Sequence, residues 1–235
     1  TTGAIGLYGT GADFGHDIAA GAPDTACGDI TLEGTATAAT ATAGVRVTGD
    51  GLVTNGGDIT ITGTSAGGVG VQLGDGSAFA IGSGGGSITI EGTGIDAGVL
   101  MQGNQVTSGG GAVSITGTGA TIGVSLEGSD IDSAGGGIDI DGIASAAGGI
   151  GVSLYDAQLT GGAGDVIVRG TAAAGIGIQF GYGSAISTTT GAIGLYGTGA
   201  DFGLDITDGA IDTDSGDITL EGTATAATAI AGVRV

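Results

Sequence analysis

The chain has 235 residues, of which 58 are Gly, and its formal net charge is −21 because 24 acidic residues face only three Arg. A single Pro excludes collagen, and a single Cys excludes a disulfide-rich scaffold. No apolar stretch is long enough to span a bilayer, and the lack of clustered basic side chains argues against binding to nucleic acid or anionic lipid.

The sequence repeats on two length scales. Residues 1–47 recur as residues 189–235 with 40 identities in 47 positions, at an offset of 188 residues. Seven shorter units of about 27 residues fill each 188-residue super-repeat. In chain order the units begin at Gly3, Gly28, Gly57, Gly86, Gly111, Gly137, Gly164, Gly191 and Gly216.

Each unit carries the same pattern of apolar residues. It opens with a Gly-x-Ile-x-Ile-x-Gly-Thr segment such as Gly86–Thr93, continues with Gly-Val-x-Leu such as Gly123–Leu126, and ends with one more apolar residue such as Ile131. Apolar residues two apart are typical of a strand, and Gly-rich segments between them indicate turns. We therefore predict three short strands and three corners in each unit.

Such a unit cannot bury its apolar face alone, but stacked copies can. The pattern predicts an all-β fold, a single parallel β-helix over residues 1–235 with one unit per coil. Strand twist favours right-handed winding. We expect Gly to provide positive φ at the corners. Neither terminal unit has a polar cap, so we expect a segment of a longer array or a unit that stacks head to tail.

The segment Gly28–Thr35 and its relatives at residues 57–64, 86–93 and 216–223 resemble the repeats of filamentous-haemagglutinin-like adhesins. They also resemble the large Gly/Thr-rich β-strand-repeat exoproteins of Gram-negative bacteria and cyanobacteria. The resemblance covers the whole chain. It implies export and assembly into long fibres on the cell surface.

Catalysis is not expected. Leu204 replaces His16 and Ser215 replaces Cys27 in the second copy of the repeat, so neither residue carries chemistry that both copies share. The three Arg have a simpler role, because each follows an Asp by one coil. We predict three ladder ion pairs on the outer surface, which are Asp17 with Arg46, Asp141 with Arg169, and Asp205 with Arg234.

Ligand binding is the alternative that the sequence leaves open. Carboxylates concentrate at corners and are the ligands that calcium prefers. The candidate weak calcium ligands are Asp130, Asp132, Asp139, Asp141, Asp208, Asp212, Asp214 and Asp217. No aromatic cluster for stacking on sugars is predicted, because Tyr8 and Tyr196 lie a whole super-repeat apart. Ice binding ranks low because a pair such as Thr60 and Thr62 does not recur in the other coils.

The sequence is most consistent with an extracellular structural rod, the shaft of a bacterial surface adhesin or fibre. A carbohydrate- or calcium-binding β-helical module is the alternative, and ice binding or an enzyme acting on polysaccharides is less favoured. Expected partners are other copies or coils of the same array and a cell-surface or matrix receptor. No cofactor is expected apart from calcium, and insertion into a membrane is not expected.

Overall fold

A computed structural model describes residues 3–19, 21, 23–77 and 79–235. All regular elements in these ranges are β-strands, and they pair in parallel from one coil to the next. The predicted parallel β-solenoid is therefore confirmed. The described residues contain no helix that could cross a membrane.

The strands fall into three columns along the solenoid axis. The first column contains β1 (Ile5–Gly11), β3 (Ile30–Ala36), β6 (Ile59–Ser65), β9 (Ile88–Thr93), β12 (Val113–Gly119), the first halves of β15 (Ile138–Tyr155) and β17 (Val166–Gly181), β19 (Ile193–Gly199) and β22 (Ile218–Ala224). The second contains β2 (Phe14–Ile18), β4 (Ala43–Val47), β7 (Val69–Leu73), β10 (Ala97–Gln102), β13 (Ile122–Glu127), the second halves of β15 and β17, β20 (Phe202–Ile206) and β23 (Ala231–Arg234). The third contains β5 (Leu52–Val53), β8 (Phe79–Gly82), β11 (Asn104–Thr107), β14 (Asp130–Asp132), β16 (Gln158–Gly162), β18 (Ser184–Thr188) and β21 (Gly209–Thr213).

The inward side chains form continuous apolar stacks. Leu126 pairs with Met101 of the preceding coil and Leu154 of the following coil, and all three side chains are buried. Aligning the Gly-Val-x-Leu segments of successive units gives the same stack. Because strand residues alternate between faces, this register also fixes which residues of β13 point outward.

The sharp corner between the first and second strands explains two columns of Gly. A Cβ atom added to Gly117 would lie closer than 3.0 Å to the carbonyl oxygen of Gly123, and the same overlap occurs between Gly34 and Gly44. None of these four residues has positive φ. The expectation that Gly provides positive φ at the corners does not hold for these two columns, where close backbone approach is the reason for Gly. Positive φ occurs at other turns, including Gly103 and Gly128.

A ladder of hydroxyl groups follows the third strand in several successive coils. The Thr54 hydroxyl lies 2.6 Å from the carbonyl oxygen of Gly57 and 2.9 Å from that of Ser83 in the next coil. Ser83 and Ser108 repeat the arrangement one and two coils later. Each hydroxyl donates to the Gly carbonyl group of its own turn. It also lies within hydrogen-bond distance of a carbonyl group in the next coil that already accepts a backbone N–H, as Ser83 O does from Gly56, and so links successive coils.

Candidate functional sites on the outer face

The first predicted ladder pair forms a compact cluster with an aromatic ring. Arg46 donates from Nε to Asp17 Oδ1 at 2.9 Å and from Nη2 to Asp17 Oδ2 at 2.7 Å. Its Cζ atom lies 4.2 Å from the centroid of the Phe14 ring. Hydrogen bonding to Asp17 raises the pKa of Arg46, against the smaller effect of partial burial. The bidentate geometry and the ring together hold the guanidinium in one orientation.

The super-repeat places the same cluster near the other end of the solenoid. Arg234 donates to both carboxylate oxygens of Asp205, and its Cζ atom lies 4.2 Å from the centroid of the Phe202 ring. Hydrogen bonding to Asp205 raises the pKa of Arg234. The two clusters have the same construction, so they are a repeated element of the outer surface and not a unique site.

The predicted ion pair between Asp141 and Arg169 is wrong, because Arg169 pairs with a different Asp. Arg169 is the register neighbour of Asp141, as predicted, but its Nη1 atom donates to Asp139 Oδ1 at 2.6 Å. Asp139 and Asp141 lie two residues apart on the same outer face, and a long side chain can reach a diagonal neighbour as readily as the one directly opposite. The Arg169 guanidinium also lies 6.0 Å from the Tyr196 ring.

The acidic residues proposed as calcium ligands do not converge. Within the described ranges, no three acidic, His or Cys side chains form a group that could hold a metal ion. Asp130 and Asp132 flank the inward Ile131, and Asp132 Oδ1 instead accepts the backbone N–H of Ala134 at 2.8 Å. Asp139 is occupied by the ion pair described above, and Asp141 is its outward neighbour on β15. Asp208, Asp212, Asp214 and Asp217 are all exposed and are spread over two corners and β21.

His16 and Cys27, which the sequence analysis considered as catalytic candidates, belong to no group of acidic, His or Cys side chains among the described residues that could hold a metal ion. His16 is half-buried in the second column beside Val45, and its Nε2 atom has no hydrogen-bond partner among the described residues. Cys27 is an exposed free thiol in a turn.

An aromatic pair that the sequence analysis missed lies at the corner between the second and third strands. The rings of Tyr155 and Tyr182 stack with centroids 4.5 Å apart and an interplanar angle of 29°. The sequence analysis considered only Tyr8 and Tyr196 and did not anticipate this pair. The two residues come from neighbouring coils, and a turn that is one residue longer after β17 than after β15 places Tyr182 beside Tyr155. Aligning the two turns would have been the only signal in the sequence.

A groove runs along the same corner through the second to fifth coils. Its volume is about 370 Å³, and its lining includes Asp50, Phe79, Asn104, Gln105 and Asp130. Phe79 and Asn104 are buried in its floor, whereas the two Asp side chains are exposed or nearly so.

Comparison with known proteins adds no assignment. Neither a protein-family model, nor a curated protein, nor a solved structure matches this chain.

Proposed function

We propose that this chain is the shaft of an extracellular fibre, a repetitive structural rod of a bacterial cell-surface adhesin. The observation that carries the proposal is the continuous stacking of near-equivalent coils, in which the second copy of the repeat adopts the same strands as the first. The strand Ile193–Gly199 is the counterpart of Ile5–Gly11, and Phe202–Ile206 is the counterpart of Phe14–Ile18. An array of this kind lengthens by adding coils, because each coil contacts mainly its neighbours.

The distribution of outward residues also supports a structural role. The column that contains Tyr8 continues through Glu33, Thr62 and Glu91 and reaches Arg169 farther along. A surface that binds one repeated ligand would carry one residue type at equivalent positions, as an ice-binding face does. The mixed column instead supports a shaft whose outer residues provide solubility, consistent with a net charge of −21.

Association between copies is part of the proposal. Within the chain, equal columns stack apolar residues on apolar residues from coil to coil, as Ile193 and Leu195 do on Ile218 and Leu220. Ile5 and Leu7 stand in the same column, so further coils or another copy stacked in this register would again place apolar residues on apolar residues. The remaining partner in this proposal is a receptor on a cell surface or in a matrix.

The length of tandem proteins tests the shaft proposal. Proteins with one, two and three super-repeats should scatter X-rays as rods of constant cross-section. Each added super-repeat of seven coils should lengthen the rod by about 34 Å, from a spacing of about 4.8 Å per coil. We also expect no turnover of polysaccharides by the purified protein. A length that stops growing, or a compact particle, would contradict the proposal.

A further inference from the structure

We propose that the corner groove and the tyrosine pair form one binding surface for a neutral, extended polysaccharide. The inference goes beyond a shaft role, because it assigns a specific ligand class to one part of the rod. It depends on four features of this corner: the shape of the groove, an unpaired buried amide oxygen, the exposed aromatic pair and the local charge.

The groove has the shape of a site for a linear polymer. Its lining residues Asp50, Phe79, Asn104 and Asp130 come from four successive coils. With a spacing of about 4.8 Å between coils, the groove runs for roughly 15 Å along the axis. At Gly128 the wall is open, because an added Cβ atom would meet nothing within 4 Å. A ligand lying here would therefore contact several coils at once, as an extended chain does and a single sugar does not.

The floor of the groove contains an unpaired polar atom. Asn104 is 3% exposed, and its Nδ2 atom donates to the carbonyl oxygen of Leu73 at 2.9 Å. Its Oδ1 atom is buried and has no hydrogen-bond partner among the described residues. Buried polar atoms are nearly always paired, so the unpaired acceptor of this groove-lining residue leaves hydrogen-bonding capacity at the corner that the described chain does not use. Gln105 adds a second amide to the wall.

The tyrosine pair continues the surface past the end of the groove. Gly128 in the groove wall donates its N–H to the carbonyl oxygen of Tyr155 at 2.9 Å, so the pair begins on the adjoining coil. Tyr155 is 49% exposed and Tyr182 is 60% exposed. Tyr182 has a φ of 56°, a region that bulky residues rarely adopt, whereas the φ of 51° at Asp156 is one that Asp adopts more readily. A strained turn that holds two aromatic rings in water favours a binding role over a packing role.

The local charge selects among extended ligands. Anionic polymers are disfavoured by Asp50 and Asp130 in the groove and by the acidic surface as a whole. A cationic ligand would find carboxylates at many other corners, so acidity does not distinguish this one. What distinguishes it is the combination of amides, isolated carboxylates and aromatic rings. Pyranose hydroxyl groups bond to the amides and carboxylates, and pyranose C–H groups pack against the electron-rich aromatic rings.

Two binding experiments test the proposal. The protein is first screened against a panel of immobilised neutral glycans of five or more sugars. Affinity electrophoresis in the corresponding soluble polysaccharide then measures the affinity for any glycan that binds. We expect at least one neutral glycan to bind. The double variant Tyr155→Ala/Tyr182→Ala should weaken binding at least tenfold, and Tyr8→Ala should leave it unchanged because Tyr8 is 69% exposed but lies outside the groove. Circular dichroism and protease resistance confirm that each variant is folded.

A second variant distinguishes binding of a neutral glycan from binding of a cationic ligand. In Asp50→Asn/Asp130→Asn, hydrogen-bond acceptors remain but two negative charges are lost, so glycan binding should stay within about threefold of the parent. The proposal is overturned if no neutral glycan binds, if the tyrosine variant binds as well as the parent, or if polylysine binds at this corner in preference to every neutral glycan. The length of tandem proteins does not depend on these residues, so the shaft proposal is tested separately.

Discussion

The corner glycines allow the sharpest test of how the coils are built. Replacing Gly117 by Ala would place a Cβ atom closer than 3.0 Å to the carbonyl oxygen of Gly123, whereas ordinary contact begins at 3.4 Å. The obstructing atom belongs to the backbone, so no rotamer change relieves the overlap. The strand β12 is also held by register to β9 and β15 on both sides, so it cannot shift without disturbing its neighbours.

The expected cost of Gly117→Ala is therefore at the upper end of the range for overpacked sites, about 3 kcal/mol. For a chain of this size that corresponds to a fall in Tm of roughly 6–12 °C. Thermal unfolding followed by circular dichroism gives the total effect. Hydrogen exchange shows where protection is lost, and we expect the loss to be centred on β12 and β13.

The matched control is Gly82→Ala. An added Cβ atom at Gly82 meets nothing within 4 Å, and Gly82 does not have positive φ. The same substitution should therefore be neutral or stabilise the protein by up to about 1 kcal/mol, since Ala restricts the unfolded chain. If Gly117→Ala melted within about 1 °C of both the parent and Gly82→Ala, close backbone approach would not be the reason for these glycines.

Three further predictions concern the core and the outer ladder. Leu126→Asp should lower the free energy of unfolding by several kcal/mol and expose the stack to proteases, because the carboxylate would be buried without a partner. The control Leu100→Asp lies on the outer face of the adjoining strand and should leave protease resistance nearly unchanged. Asp17→Ala should lower the free energy of unfolding by about 1 kcal/mol, because a bidentate ion pair is lost. Asp139→Ala should change it by less than about 0.5 kcal/mol, because that ion pair is half-exposed. Urea unfolding of the two variants measures the difference. Ser108→Ala should destabilise its corner by about 1 kcal/mol by removing the hydrogen bond to the carbonyl oxygen of Gly111, since the Ser133 carbonyl oxygen still accepts the N–H of Gly110. Hydrogen exchange near Gly111 should show the loss.

The strand pattern and the register could be predicted from the sequence because they depend on repeated local signals. An apolar residue at every second position defines an inward face, and equal columns in successive units define which residues meet. The stack through Leu126 and the pairing of Arg46 with Asp17 follow directly from that alignment. A shift of one residue would have turned every apolar column outward, so the pattern allows few alternatives.

Tertiary structure decided the features that depend on distances across corners. Which of two Asp residues pairs with Arg169 depends on how far its side chain reaches along the face, and both choices have the same sequence pattern. Turns of unequal length brought Tyr155 and Tyr182 together, and the groove in the preceding coils depends on how their corners stack. The Gly columns were visible in the sequence, but only the folded corner shows that they are required because two backbones meet there, with no room for a Cβ atom.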